Sequence, residues 1–90
     1  MVKTIDLTIN GIVQGVFFRQ STRKIAEQLQ LQGTVENLAT GNVHIIATGS
    51  EERLNAFIEW CHKGPPGAKV NKVTIHEVSL QRFNDFSIKK

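Results

Sequence analysis

The stretch TIDLTINGIVQGVFFRQSTRKIAEQL, Thr4 to Leu29, changes its hydrophobic period once. Ile5, Leu7 and Ile9 alternate with Thr4, Asp6, Thr8 and Asn10, the period of two that marks a strand with one buried face. Further on, Phe18, Thr22, Ile25, Ala26 and Leu29 recur at helical spacing. Between the two periods lies a loop with two glycines, Gly11 and Gly15, that feeds directly into the helix. Gly33 is placed to end that helix, because glycine accepts a left-handed cap without a side-chain clash. The stretch therefore reads as strand, glycine loop, helix.

Working outward, a second strand is expected near Thr34 to Ala39 and a third near Val43 to Thr48, joined by the turn residues Thr40-Gly41-Asn42. Ser50 can cap a second helix, with Glu51 and Glu52 at its positive end and Leu54, Phe57, Ile58 and Cys61 as its apolar stripe. Gly64-Pro65-Pro66-Gly67 stops it, since proline lacks a donor and fixes the chain. Val73 and Ile75 alternate, and Val78 and Leu80 continue on the opposite parity, which a bulge near His76 or Glu77 would explain. Phe86 and Ile88 leave room for a short last strand. The order is β-α-β-β-α-β. An antiparallel sheet with both helices on one face, the ferredoxin-like arrangement, is the economical way to bury these stripes.

The totals bound the rest. Ninety residues make one domain, residues 1–90, with 40% apolar and 21% charged side chains. No apolar run approaches the roughly 20 residues needed to cross a bilayer. The start MVKTIDLTIN lacks the basic-then-apolar pattern of a secretory signal. Cys61 is the single cysteine, so no internal disulfide forms, in keeping with a cytoplasmic protein. It reads as a small buried apolar side chain, and the alternative of a nucleophile finds only Trp60 and His62 beside it. Trp60 itself suits a core edge better than a contact surface. His44, His62 and His76 show no metal-ligand spacing, so no metal is expected. The net charge of +3 suits a small anionic ligand and is weak support for nucleic acid. Glu51-Glu52 and Lys89-Lys90 read as solvated ends.

The glycine loop is the anomaly. Where a strand hands over to a helix, several backbone N–H groups lack partners and the helix dipole adds positive charge. Glycine lets that backbone turn tightly and approach a ligand, making a nest for phosphate or carboxylate. Arg19, in the first turn, adds a planar fork of donors suited to phosphate oxygens. Phe18 starts the apolar stripe; Phe17 either walls the pocket against water or simply packs. The plain alternative is a tight strand-to-helix turn with Arg19 in solvent. In the second strand, alternation puts Asn37 on the same face as Val35, toward the end of the sheet that carries the loop. Asn37 either binds a water beside a bound phosphate or satisfies a turn.

The segment GIVQGVFFR, followed by Gly33-Thr34-Val35-Glu36-Asn37, Gly41-Asn42-Val43, Gly64-Pro65-Pro66-Gly67-Ala68-Lys69-Val70 and Phe86-Ser87-Ile88, resembles the acylphosphatase family over nearly the whole chain. The resemblance implies a small cytosolic enzyme that hydrolyses acyl phosphates to a carboxylate and inorganic phosphate, without metal or other cofactor. It implies that Arg19 binds the phosphoryl group. It also implies that backbone N–H groups across Gln14, Gly15, Val16, Phe17 and Phe18 cradle its oxygens, and that Asn37 orients the attacking water. A monomer suffices for this activity, with no membrane or nucleic-acid partner.

Two rivals belong to other classes. A basic β-α-β-β-α-β domain can bind RNA by stacking bases on sheet aromatics, but the third strand, Val43 to Thr48, has none. A non-catalytic phosphate binder would keep the nest yet have no need of Asn37 to place a water.

Overall fold

The computed structural model describes residues 1–89. Its elements are β1 (Val2–Ile12), α1 (Phe18–Gln28), β2 (Gln32–Asn37), β3 (Val43–Ser50), α2 (Glu51–Lys63), β4 (Lys69–Val78) and β5 (Phe86–Ile88). They form one sheet in the order β4-β1-β3-β2-β5. The four strands from β4 to β2 pair antiparallel, as expected for the ferredoxin-like arrangement, whereas β5 adds to the edge in parallel with β2. Lys90, the last residue of the basic pair at the carboxyl end, lies outside the described residues.

The alternation in β1 sorts the sheet into two faces. Ile5, Leu7 and Ile9, with Val43, Ile45 and Ala47 of β3 and Val35 of β2, are buried beneath the helices. Phe18 and Ala26 of α1, Leu54, Phe57 and Cys61 of α2, and Phe86 of β5 complete that core. Helix α1 packs over β2 and β5, and α2 over β3, β4 and β1. Trp60 closes the core edge, its ring 5.6 Å from Phe18 and 6.4 Å from Phe57. Cys61 is fully buried, and burial pushes its thiol pKa up, so it behaves as the small apolar side chain its neighbours suggest.

Local signals held at α2, where the Ser50 hydroxyl accepts from Arg53 N at 3.3 Å and the helix stops before Gly64. They failed at the end of α1. Gln30, not a glycine, takes the left-handed position there with φ of 58°. Leu31 N donates to Ala26 O and Gln30 N to Glu27 O, the two bonds of a Schellman cap. Gly33 instead lies inside β2, where a Cβ would collide with the Ile46 carbonyl of β3. Because glycine adopts positive φ without a clash, Gln30→Gly should raise unfolding free energy by about 0.5–1 kcal/mol, read from denaturant midpoints. An unchanged midpoint would mean that the longer side chain carries packing of equal worth.

The bulge is also elsewhere. His76 and Glu77 pair regularly with Asp6 and Ile5, and the register instead slips between Asn10 and Gly11, leaving Asn71 as the extra residue. Val78 stands on the open face opposite Thr4, and Leu80 lies past the strand in the segment that crosses to β5. That segment is fastened by a closed ring of hydrogen bonds. Gln81 N donates to Thr4 Oγ1 at 2.8 Å, the two threonine hydroxyls meet at 2.7 Å, and Thr48 Oγ1 donates to Gln81 O at 2.7 Å.

The open face of the sheet carries a second polar cluster. His44 Nε2 lies 2.9 Å from Asp6 Oδ2 and Nδ1 lies 3.1 Å from Glu36 Oε2, with Lys89 Nζ 3.9 Å from the same Glu36 oxygen. Burial disfavours the imidazolium, but the hydrogen bonds and charges of the two carboxylates together outweigh it, so the His44 pKa is raised. A raised folded pKa means the stabilisation is complete below the ordinary histidine value of about 6.5 and is lost as pH rises through the folded value. Replacing His44 by alanine should therefore cost about 1 kcal/mol more at pH 6 than at pH 9.5. Equal costs at both pH values would show that the ring contributes by packing alone.

Candidate active site

At the carboxyl end of β1 the chain turns through two left-handed residues separated by one that is not. Gly15 has φ of 76° and Phe17 has φ of 60° and ψ of 26°. Alternation of hand points successive N–H groups toward one centre, the geometry of an anion nest. Among the described residues, the N–H groups from Gly15 to Gln20 donate to no other backbone group; pairing starts with Ser21 N to Phe17 O at 3.0 Å. Phe17 occupies the N-cap position without a side-chain cap bond, and the first turn of α1 holds no acidic residue. The positive end of the helix is therefore left uncompensated and open.

Gly15, Phe17, Phe18, Arg19 and Asn37 line one cavity of about 680 Å³. Among the described residues, Arg19 is half-buried there with no carboxylate within salt-bridge distance and no hydrogen bond from its guanidinium. Asn37 reaches the same cavity from the end of β2, opposite Val43 in register. Its Oδ1 is buried and has no hydrogen-bond partner among the described residues. The alternative in which Asn37 satisfies the hairpin turn therefore fails for that oxygen; the turn closes by itself through Leu38 N to Asn42 O at 2.8 Å and Gly41 N to Leu38 O at 3.1 Å.

Two residues of the loop sit apart from the cavity. Val16 packs against the core. Gln14 turns its side chain to the β2–β3 hairpin, where Nε2 donates to Leu38 O and Asn42 O, each at 2.9 Å. Those bonds tie the nest to the strand that carries Asn37, a linkage no local pattern announced. The remaining walls are Val13, Gln20, Arg23, Asp85, Phe86, Ser87 and Ile88. Arg23 follows Arg19 by four residues and so shares its helix face; that spacing was the signal by which sequence reasoning, which passed Arg23 over, could have found it. The β5 residues were out of reach of sequence reasoning, because their position depends on the parallel pairing with β2. Among the described residues, no group of three or more His, Cys, Asp or Glu side chains is arranged to hold a metal ion, and no helix is long and apolar enough to cross a membrane.

The model of the acylphosphatase family matches residues 5–88. The chain belongs to the acylphosphatase family. An acylphosphatase of Coxiella burnetii is 44% identical over 85 residues, covering 94% of this chain and 90% of the relative. One of Thermotoga maritima is 41% identical over 88 residues, covering 98% of each. The crystal structure of acylphosphatase from Bacillus subtilis superposes with a TM-score of 0.95 at 35% identity, covering 100% of both chains. The protein is thus a hydrolase of acyl phosphates, and in this chain the loop, Arg19 and Asn37 line one cavity.

Proposed function

We propose that the cavity hydrolyses acyl phosphates at phosphorus, with the phosphoryl group seated in the Gln14–Phe18 nest against Arg19 and the water oriented by Asn37. The observation that carries this reading is the buried Oδ1 of Asn37, on the same cavity as the half-buried Arg19, each without a polar partner among the described residues. A buried acceptor without a partner costs stability, so its presence points to a group it serves during turnover. Gln14 supports the arrangement indirectly through its bonds to the hairpin, and Val16 by anchoring the loop.

The chemistry asks little more. The water oxygen forms a bond to phosphorus as the bond to the acyl oxygen breaks. That oxygen leaves with the electron pair as a carboxylate, and the water proton passes to solvent or to the product phosphate. A carboxylate departs without protonation, so no general acid is needed. A loose transition state spreads charge over the equatorial oxygens, which the loop amides and the Arg19 fork meet without reorganisation. Asn37 Oδ1 accepts a hydrogen bond from the water and holds it in line, a positioning role. The reaction draws on no cofactor, and the reading takes a small acyl phosphate as substrate, inorganic phosphate as product and a cytoplasmic monomer as the working form. Nucleic acid is a poor fit, since the open-face strand positions Asp6, Thr8, Glu36 and His44 hold two carboxylates, which repel phosphates, and no Phe, Tyr or Trp ring.

The test is phosphate release from acetyl phosphate, with chelator present, by the wild type, Arg19→Ala and Asn37→Ala. Turnover by the wild type alone, with both variants folded, supports the assignment. Saturable phosphate binding without turnover by the wild type would make the loop a nest without a reaction.

A further inference from the structure

Phe17 is a residue out of place on three counts. Its side chain lines the cavity yet the residue is 76% exposed, it makes no part of the buried core, and its backbone sits in the left-handed region at φ of 60°. A bulky side chain is a true outlier there, and glycine would meet the demands of the turn without strain. Strain at a site is retained when the strained group does something the relaxed one cannot. The stretch Gly15-Val16-Phe17-Phe18 needs a left-handed residue at position 17 to aim its N–H groups, and the benzyl group there is exposed and outside the core cluster.

The cavity shows what the ring is for. Its polar end is the nest with Arg19 and Asn37, which takes the phosphoryl group under the function proposed above. Its apolar lining is Val13, Phe17, Phe18, Phe86 and Ile88, of which Val13, Phe18 and Phe86 are buried in the core and Phe17 is exposed. A substrate whose phosphoryl group fills the polar end must lay its acyl group against the remaining walls. Phe17 is the wall that stands in water before the substrate arrives, so it gains the most burial when an apolar acyl group covers it. A flat acyl group gains further from offset or edge contact with the ring. Arg23 and Asp85, on the same cavity, leave one charge of each sign beyond these walls and give no net preference for an ionic acyl group.

We infer that Phe17 is a specificity-determining residue that selects acyl phosphates with large apolar or aromatic acyl groups over those with small ones. The inference rests on the hydrolase reading of the cavity and adds the acyl-group class. It is tested by the ratio of kcat/KM for benzoyl phosphate to kcat/KM for acetyl phosphate, in the wild type, Phe17→Gly and Phe17→Leu. Both replacements disturb the loop, and a ratio cancels any loss common to the two substrates. The wild type should favour benzoyl phosphate. The ratio should fall about 5- to 10-fold in Phe17→Gly, as expected for losing much of one aromatic contact, and by less in Phe17→Leu, which keeps an apolar surface. Because glycine relieves the left-handed strain and the Phe17 ring is exposed, Phe17→Gly should melt at or above the wild-type temperature. An unchanged ratio, with both rates lowered together, would make Phe17 a loop-holding residue and overturn the inference alone. A wild type idle on both substrates would overturn the hydrolase reading and the inference with it.

Discussion

Replacing Arg19 by alanine is expected to lower kcat/KM for acetyl phosphate by on the order of 100- to 1,000-fold or more, the scale of losing one preorganised charge partner at a transition state. The guanidinium is half-buried at the cavity wall and is paired with no carboxylate among the described residues. Its removal therefore breaks no ion pair or side-chain hydrogen bond among the described residues, and unfolding free energy should stay within about 0.5 kcal/mol of wild type. Arg19→Lys should recover only part of the loss, because an ammonium cannot offer the planar, two-pronged donor set to phosphate oxygens. Steady-state kinetics beside a thermal melt checks both halves. Near-wild-type turnover by a folded Arg19→Ala variant would remove the arginine from the reaction.

Asn37→Ala is expected to lower kcat by on the order of 100-fold while inhibition by inorganic phosphate changes little, because water placement affects the transition state more than the ground state. Deleting an acceptor that is buried without a partner also removes a local cost, so this variant should melt at or above the wild-type temperature. A gain in stability joined to a loss in rate is the signature of a polar group kept for chemistry. Were Asn37 a structural residue, kcat would hold and the melting temperature would fall.

The elements that declared themselves in sequence are those whose causes are local. Alternation in Thr4–Asn10 marks β1, and Ser50 with Glu51 and Glu52 marks the start of α2 through a cap bond made three residues away. The nest was legible for the same reason: its glycine, its arginine and the first turn of α1 are contiguous. Asn37 could be placed beside it because the direction of β2 follows from topology. What stayed hidden depends on partners far along the chain. The left-handed Gln30 gives no glycine signal, and the bulge at Asn71 is a matter of register with Gly11 rather than of parity within β4. The role of the Gln14 side chain rests on hairpin carbonyls at Leu38 and Asn42. The wall formed by Asp85, Phe86, Ser87 and Ile88 exists only because β5 crosses to the far edge of the sheet.

Hydrolysis of acetyl phosphate in oxygen-18 water, with chelator present and products weighed by mass spectrometry, tests the central claim most directly. Attack on phosphorus by a water held at Asn37, with the phosphoryl group on the nest and Arg19, predicts one label in inorganic phosphate and none in acetate. Label in acetate would place the attack at the acyl carbon and contradict the account.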